Sequence, residues 1–424
     1  MNTRTMVLST LLAFPMLLVG ACGDSDGETS DGETGSAEEV CDAPFSGAIT
    51  EDTTWTCDKQ LEGLVTVEND AVLTVNAGVT IQGRSGSALI VKQGSRLDAI
   101  GTPDMPIVFT SSQPEGSRKP ADWGGIVLLG SATVNLTAGS GLAEGLEGDF
   151  TYGGDDDSYN CGTLQYVRVE FAGFELTVDN ELNGITFYAC GTGTTVDHVQ
   201  SHMGKDDGIE MFGGTFDASE IIVTGAQDDS LDMDLGFRGT ISRVFIHQNP
   251  ADGNYAFEIS NGENVTAEPR TEPIVMNATT VGTGDPGAAT KSAGVRWKEG
   301  TKGAINNSII TNFYGAQVEL TDDETENQAN SGGLTMTNNI LFGNAVGGGD
   351  LYIVSDDSTF DLADWIENQQ SGNQEVDPML TSAVWGEPNI VPMPGSPAAA
   401  SGIGAVSSDA DNFAGEAWTN YTPN

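Results

Sequence analysis

Short runs that alternate apolar and polar residues recur along most of the chain, and turn-forming residues separate them. Examples are LVTVEN, NGITFYACG, GIEMFGG and SLDMDLG. Alternation with a period of two residues is typical of β-strands. Apolar positions also recur at a nearly constant interval, because the step from Ile185 to Ile209 is almost the same as the step from Ile209 to Leu231. A fixed interval between strands predicts a solenoid and not a sandwich.

A second set of positions keeps the same interval and gives the fold class. Phe187, Met211 and Met233 each lie two positions after a member of the first set, and Tyr255 and Phe257 come one further step along the chain. Since side chains alternate across a strand, these residues should stack along one inward line. We therefore predict an all-β fold, a parallel β-helix with three short strands and about 22–24 residues in each coil.

Both ends of the solenoid are predicted to be closed, because open coil edges would pair with other strands. Residues 40–61 are expected to form the N-terminal cap, and residues 358–424 the C-terminal cap. Within the latter, STFDLADWIENQQ predicts a short helix with Ser358 as its N-cap. The Pro- and Gly-rich stretch that follows should pack along the flank. We predict one domain over residues 40–424.

Several motifs of the chain resemble a known group of proteins. They are the opening AVLTVNAGVTIQG, a WGG motif from Trp123, a YGG-to-EFAG segment from Tyr152, and the phrases DDGIEMFGG and DDSLDMD. In this order they resemble right-handed parallel β-helix proteins of the pectin-lyase-like superfamily, in particular bacterial surface proteins and lipoproteins. The resemblance covers most of residues 41–424. It implies a right-handed helix and a surface location, and it implies no specific reaction.

The N-terminal residues predict export and a lipid anchor. Residues 1–21 match a signal peptide, since the apolar run from Met6 to Val19 is too short to span a bilayer. Val19, Gly20, Ala21 and Cys22 match a lipobox, so Cys22 is the predicted lipidation site. Residues 22–39 are acidic and should be a disordered tether. We expect a protein anchored in the cell envelope, at the outer membrane or cell surface.

Four further cysteines predict disulfides in an exported chain. They are Cys41, Cys57, Cys161 and Cys190. Three pairings are possible, and the shortest loops join Cys41 to Cys57 and Cys161 to Cys190. None of the cysteines has a CxxC spacing and the chain has 3 His, which argues against a metal cluster of these residues.

The charge of the chain restricts its partners. It has 16 basic and 62 acidic residues, a formal net charge of −46. Such a field repels nucleic acid and anionic lipid surfaces, and it attracts divalent cations. We therefore predict no nucleic-acid partner and consider Ca²⁺ the first candidate for a bound ion.

Two similar phrases, DDGIEM and DDSLDM, place Asp pairs one repeat apart at the entry to equivalent strands. Stacked corners would align these pairs at about 5 Å intervals. One further step of about the same length reaches Asp252, which would occupy the same corner one coil later. The predicted metal-ligating residues are Asp206, Asp207, Asp228, Asp229 and Asp252. Two explanations stay open: Asp accepts backbone N–H groups in tight turns, and Ca²⁺ takes six to eight oxygen ligands.

The outward positions beside these corners predict a binding face. Glu210 and Asp232 should share one outward column, and a second column should hold the aromatic rings and two further acids. Arg296, Lys298, Gln317 and Glu319 are expected to continue the face. Aromatic rings beside carboxylates suit a sugar chain. The predicted ligand-binding residues are Tyr188, Glu210, Phe212, Asp232, Asp234 and Glu258.

Three functions are consistent with this face. The first is non-catalytic binding of a polysaccharide or cell-surface partner, with Ca²⁺ stabilising the Asp corners. The second is a glycoside hydrolase or a polysaccharide lyase. In a lyase, Lys298, Arg296 or Arg238 would abstract the C5 proton of a uronate. The acid and base candidates for hydrolysis are Asp228, Asp229, Asp232 and Asp234. The third is a structural spacer or adhesin without a site.

Three other polar residues carry minor expectations. Arg238 lies between glycines just after the acid-rich strand, so we expect it to pair with Asp232 or Asp234. His198 and His202 are expected to be solvated, with a catalytic histidine as the alternative.

Overall fold

The strands of the protein wind into a right-handed parallel β-helix with three strand stacks, which we call A, B and C. The computed structural model describes residues 41, 43–146, 148–177, 180–284, 292–343 and 351–424. Within them, 25 strands form one continuous parallel sheet. The signal peptide, Cys22 and the acidic tether lie outside the described residues. No helix in the described part of the chain is long and apolar enough to cross a membrane.

Stacks A and B share several long strands that bend where one stack passes into the next. Stack A begins with Thr53–Trp55, Val72–Val75 and Arg96–Ile100, and stack B with Lys59–Val67, Thr80–Gly83 and Ile107–Ser111. The strands shared by both stacks are Gly162–Glu170, Thr195–His202, Ala218–Thr224, Thr240–His247 and Ile274–Val281. Stack A ends with Gly303–Asn306 and Leu334–Thr337, and stack B with Ile309–Thr311 and Ile340–Phe342.

A single residue in the left-handed region makes each bend of these shared strands. Tyr166, His198, Glu220, Arg243 and Asn277 have φ angles of 51–55° at this place. Left-handed backbone is uncommon for residues with a side chain, so the stacked coils hold each of them in this conformation. The bend turns the second half of each strand into stack B.

Stack C carries the positions that the sequence analysis predicted to be functional. Its strands are the second halves of Pro44–Ile49 and Lys59–Val67, followed by Ala88–Val91, Ile126–Leu129, Ile185–Tyr188, Ile209–Phe212, Leu231–Asp234, Tyr255–Ile259, Ala293–Trp297, Ala316–Leu320 and Tyr352–Val354. Long segments leave and enter this stack, among them residues 130–160, 248–254 and 260–273. The face of stack C is therefore bordered by loops.

The predicted register of stack C holds over three coils and then fails. Ile185 pairs with Ile209 and Ile209 pairs with Leu231, which confirms both steps of the repeat. Leu231 pairs with Phe257, however, and not with Tyr255, so this step along the chain is longer than the first two. A turn near Asn249 lengthens this coil. Consequently Glu258 lies beside Asp232 and not beside Asp234, contrary to the prediction.

Four apolar clusters stabilise the described part of the solenoid, and the smallest consists of Ile309, Ile340, Ala398 and Ile403. The largest fills its interior and includes the fully buried Trp55, Trp297 and Trp365. A second lies outside stack C, under the loop that contains the hairpin of Gly141–Leu142 and Thr151–Tyr152. The third lies outside stack B, beneath the C-terminal segment. Burial of apolar surface contributes about 25 cal/mol per Å², so the outer clusters hold loops firmly on the coil.

The two predicted disulfides are present. Cys41 bonds to Cys57 near the first coil, and Cys161 bonds to Cys190 between stacks A and C. The predicted N-terminal cap is built of strands: Pro44–Ile49 pairs in parallel with Lys59–Val67, so residues 44–61 belong to the first coil itself.

The C-terminal segment differs in detail from the prediction. Its helix starts at Leu362 with Asp361 as N-cap, because Asp361 and not Ser358 accepts the N–H of Asp364. This helix spans Leu362–Asp364. The other helical segments are Asp323–Ser331, the π-helix Trp365–Gln369, Pro397–Ser401, and the 3₁₀ turns Asp409–Asp411 and Phe413–Gly415. Two short hairpins complete the elements, Glu175–Thr177 with Asn180–Glu181 and Leu380–Val384 with Glu387–Pro392. Residues Glu39–Asn424 form one compact unit.

Candidate functional site

The predicted Asp corners form a ladder of side chain to backbone hydrogen bonds. Asp207 Oδ1 accepts the N–H of Asp229 at 2.9 Å, and Asp229 Oδ1 accepts the N–H of Tyr255 at 2.6 Å. Asn183 begins the ladder by accepting the N–H of Asp207 at 3.2 Å. One oxygen of each corner Asp thus fixes the next coil, which is the turn chemistry that the spacing allowed.

Asp252 is not part of this ladder, contrary to our prediction. The longer turn of its coil moves Tyr255 into the corner position, and Asp252 accepts a hydrogen bond from Gln227 Nε2 at 2.9 Å instead. Asp228 is exposed and accepts a hydrogen bond from Asn254 Nδ2 at 2.9 Å. The corner column therefore contains Asn183, Asp207, Asp229 and Tyr255.

A column of acids on the strands of stack C lies directly beside the corner Asp residues. Glu210, Asp232 and Glu258 are paired in register on successive strands, about 4.8 Å apart. Carboxylate oxygens of Asp207, Glu210 and Asp232 lie within 4.8 Å of one another. The same limit holds for Asp229, Asp232 and Glu258. Asp232 belongs to both groups and joins them into one acid cluster, which we define as Asp207, Glu210, Asp229, Asp232 and Glu258.

The acid cluster is largely shielded from solvent, which perturbs its titration. Asp229 and Asp207 are 3% and 7% exposed. Burial raises the pKa of both carboxyl groups, and those of Glu210 and Asp232, well above the ordinary range, and repulsion from neighbouring carboxylates raises them further. Burial also raises the pKa of Asp234, at the edge of the cluster, to about 6.

Two cations lie on one side of the cluster, and both pair with the same acid. Lys298 Nζ is 3.0 Å and Arg296 Nη1 is 3.2 Å from the carboxylate of Glu258. Burial alone would lower the pKa of Lys298, but the attraction of Glu258 and Asp232 outweighs it and the pKa is raised. Arg296 also lies over the ring of Tyr255 at 4.9 Å. Tyr255 therefore faces outward, although the sequence analysis placed it in the interior.

The other members of the cluster lack such compensation. In the described part of the chain, Glu258 is the only one of the five that forms an ion pair. Asn183 Nδ2 donates a hydrogen bond to Glu210, whereas Asp232 Oδ1 is buried and has no hydrogen-bond partner among the described residues. Several carboxylate oxygens thus converge without enough donors to satisfy them. Oxygen ligands in such numbers, with no His or Cys among them, match the preference of Ca²⁺.

A third group of acids adjoins the cluster at its corner side. Asp206, Asp207 and Asp228 also bring carboxylate oxygens within 4.8 Å of one another. Asp228 is exposed, so this group opens to solvent. Four of the five predicted metal-ligating residues, all except Asp252, therefore lie in or beside the acid cluster.

The two aromatic residues predicted to bind a ligand are buried. Tyr188 and Phe212 stack at 4.5 Å between ring centroids and are 4% and 8% exposed. Tyr152, from the loop over stack C, packs on Tyr188 at 4.5 Å. The backbone N–H of Glu144 donates to the Tyr188 hydroxyl at 3.1 Å. These rings anchor the loop and form no exposed sugar platform, because the loop brings enough apolar surface to cover them.

Several other predicted placements are also corrected. Arg238 pairs with Asp157 at 3.3 Å and not with Asp232 or Asp234. Gln317 is fully buried and does not extend the outward face, whereas Glu319 pairs in register with Arg296. The two histidines expected in solvent are covered by the C-terminal segment, His202 being 1% exposed.

The sequence analysis missed Asn183 and the role of Tyr255. Asn183 precedes Asp207 by the same step that separates Ile185 from Ile209, so the repeat itself would have identified it. Tyr255 has no such signal, because its position depends on the turn near Asn249. Asp234 lies on the outward side of its strand as predicted, and its carboxylate accepts the N–H of Leu235.

The fold and the site define a class of protein: a right-handed parallel β-helix with a buried acid cluster on the outward face of one stack. Residues 47–385 match the family model described as the pectate-lyase-like β-helix domain. The chain belongs to this family. No curated protein and no solved structure matches the chain significantly.

Proposed function

We propose that this protein binds Ca²⁺ in the acid cluster of stack C and, through that ion and the adjoining cations, an anionic glycan of the cell surface. The observation that carries the proposal is the position of Asp232, which belongs to two overlapping groups of three carboxylates. Its Oδ1 is buried without a hydrogen-bond partner among the described residues. A bound cation would satisfy this oxygen.

The charge balance of the cluster supports a divalent ion. Five carboxylates face two cations, and both cations contact Glu258. Burying like charges without compensation is costly, and such groups either take up protons or bind a cation. A divalent ion would return the carboxylates to their charged form. Asp207, Glu210, Asp229 and Asp232 supply ligands. A site with several carboxylates favours Ca²⁺ over Mg²⁺, which usually binds one or two carboxylates and keeps several waters.

An anionic glycan fits the site better than a neutral one. The buried positions of Tyr188 and Phe212 remove the aromatic surface on which a neutral sugar would stack. Arg296 and Lys298 each keep a quarter or more of the side chain exposed, at 29% and 26%. A sugar carboxylate could therefore bind these cations and share the ion held by the cluster.

The proposed location rests on the N-terminal sequence. The lipobox that ends at Cys22, followed by an acidic tether, favours a lipid-anchored protein of the cell envelope. A tether would hold the β-helix at the membrane surface, where cell-surface polysaccharide is its nearest acidic ligand. Palmitate labelling of wild-type protein and of a Cys22→Ser variant in cells tests the anchor, and the variant should remain unlabelled.

Calorimetric titration with CaCl₂ after chelation tests the metal site. We expect Asp232→Asn to weaken Ca²⁺ binding by about 100-fold, about 2.7 kcal/mol, because it removes the ligand shared by both groups. Asp104→Asn is the matched control, since Asp104 is exposed in another coil and should bind as the wild type does. Equal affinities for the wild type and Asp232→Asn would refute the site.

A lyase or hydrolase on the same face is a second candidate, favoured by the perturbed carboxyl groups. Asp234, with a pKa of about 6, is suited to general acid catalysis. Lys298 is poorly suited to act as a base, because its pKa is raised and not lowered. Incubation with acidic and neutral polysaccharides should be followed by reducing ends and by the ultraviolet absorbance of unsaturated uronates.

The two candidates give different results in that assay. An enzyme would release product, and Asp234→Asn would abolish the release while leaving Ca²⁺ binding in place. A binding protein would release none and would still retain an acidic polysaccharide on a column in the presence of Ca²⁺. A structural spacer would neither bind Ca²⁺ nor retain the polysaccharide.

A further inference from the structure

One outward column of side chains runs the length of stack C. Ala48 and Thr66 lie at its first coils, and Glu319 and Ile353 lie at its last. The register pairs place the other members on the successive strands between them: Ile90, Val127, Thr186, Glu210, Asp232, Glu258 and Arg296. The column therefore follows the solenoid axis, and it contains Glu210, Asp232 and Glu258 of the acid cluster.

Three consecutive members of this column are sealed from solvent. Ile90 and Val127 are 0% exposed, and Thr186 is 1% exposed. Thr66, which comes before them, and Glu210, which comes directly after them, are both partly exposed. The outward face of stack C is thus interrupted immediately before the acid cluster.

The loop of residues 130–160 covers this part of stack C. Its Phe150 and Tyr152 share one apolar cluster with Ile90, Val127 and Tyr188 of the strands. Lifting the loop would expose the whole cluster to water, which is unfavourable. The cover is therefore a fixed part of the fold.

A second segment continues this cover along the side where the strands of stack C end. Asn135 Nδ2, from the loop, donates to the carbonyl and to the side-chain oxygen of Asn261 at 2.9 and 3.0 Å. Its backbone N–H donates to the carbonyl of Leu235 at 3.0 Å. We call the loop of residues 130–160 and the segment 260–273 together the wall. Residues 248–254 border the opposite side, where Asn254 Nδ2 donates to Asp228 at 2.9 Å.

The column is accessible on the other side of the acid cluster. Arg296, Glu319 and Ile353 are each partly exposed. From Asp232 to Ile353 the column crosses five successive strands, which is about 19 Å at the spacing between coils. This stretch, which we call the open part, is long enough for a few sugar units.

We propose that the open part binds the end of an anionic glycan chain and excludes the interior of the chain. This inference rests on the glycan binding proposed above and adds which part of the glycan is recognised. The terminal sugar lies against the wall, beside the acid cluster and its ion, and the following units pass over Arg296 toward Ile353. A chain that continued in both directions would collide with the loop over Ile90 and Val127.

The number of protein molecules bound to each glycan chain tests the proposal. Size-defined oligomers of mannuronate-rich alginate and of polygalacturonate are the probes, at a Ca²⁺ concentration at which the oligomers alone stay monomeric. We expect one protein on each chain whether it has about 5 or about 15 units, whereas a protein that binds chain interiors would load up to about three on the longer chain. Analytical ultracentrifugation measures this ratio.

Modified chain ends give a second measurement with the wild-type protein. One set of oligomers carries a bulky label on the reducing end, and a second set carries one on the non-reducing end. We expect one of the two labels to weaken binding at least about tenfold in calorimetric titration, because it cannot fit against the wall. The label at the other end should have no effect, since that end leaves the protein.

A pair of variants tests the path of the glycan. Glu319→Gln removes a negative charge from the open part, so it should strengthen binding of the oligomers of about 5 units by about threefold. Glu62→Gln is the matched control, because Glu62 is 59% exposed at an early coil, on the far side of the wall. Equal strengthening in both variants would overturn the path over Arg296 and Glu319.

The outcomes separate this inference from the function on which it rests. Several proteins on one long chain, or indifference to the labels at both ends, would overturn recognition of the chain end and leave glycan binding in place. No binding of either series in the presence of Ca²⁺ would overturn glycan binding, and this inference with it.

Discussion

Two buried polar faces of the same β-helix differ in how their charges are compensated. On stack B, Glu170 is surrounded by donors from Arg168, Thr110 and Asn420. On stack C, the acid cluster brings five carboxylates together with two cations, and Asp232 has an oxygen with no donor among the described residues. The donors that satisfy Glu170 all come from the same chain. The acid cluster lacks such donors and needs a cation or protons, and this difference separates a structural polar network from a candidate site.

The largest expected effect comes from breaking the compensated face. Arg168→Met would leave Glu170 buried without its cation, so the free energy of unfolding should fall by about 3 kcal/mol, measured by urea denaturation. Arg84→Met is the control, because Arg84 and Glu62 are 41% and 59% exposed and such pairs contribute little. If both variants unfold at the same urea concentration, Glu170 does not depend on its partner.

A change of pH should have a smaller effect on the free energy of unfolding, and the acid cluster and Glu170 should contribute to it with opposite signs. Because folding raises the pKa of most of the acid cluster, the folded state binds more protons than the unfolded state above about pH 4. In EDTA, unfolding free energy should therefore be about 2 kcal/mol higher at about pH 5.5 than at about pH 8. Glu170 acts in the other direction, but only at lower pH. Burial would raise its pKa, but the charge of Arg168 and the hydrogen bonds of Asn420 and Thr110, with His202, together outweigh burial, so its pKa is lowered.

The pH effect needs its own control, because the net charge of −46 also makes the folded state more stable at lower pH. Asp232→Asn should reduce the difference between the two pH values, and saturating Ca²⁺ should reverse it. Urea denaturation at both pH values measures this. A difference that is unchanged in Asp232→Asn would show that the overall charge, and not the cluster, causes it.

The smallest expected effect tests whether Lys298 partly neutralises the acid cluster of stack C. The ammonium group of Lys298 and a bound cation would both be attracted by the negative charges of Glu258 and Asp232, and would repel each other. Lys298→Met should therefore strengthen Ca²⁺ binding by about tenfold, about 1.4 kcal/mol, in calorimetric titration. Lys92→Met serves as control, because Lys92 pairs with Glu68 in an earlier coil. Weaker binding in Lys298→Met would mean that Lys298 and the ion do not compete.

Much of the fold was predictable because each coil repeats one local rule. The stacked residues Ile185, Ile209 and Leu231 follow from their spacing, and so does the Asp207–Asp229 ladder. The prediction failed at Asp252, because a change of turn length shifts every later side chain of the strand. It also failed at Tyr188, since a distant loop covers that ring.

The order of amino acids is enough to specify the local pattern: strands of period two, corners that need Asp or Asn, and an acidic surface. Which acids become neighbours depends instead on how the coils stack. Asp232 and Glu258 meet because coils stack at about 4.8 Å whatever the length of the turn between them. Their burial and their shortage of donors arise from that contact, and spacing along the chain does not encode it.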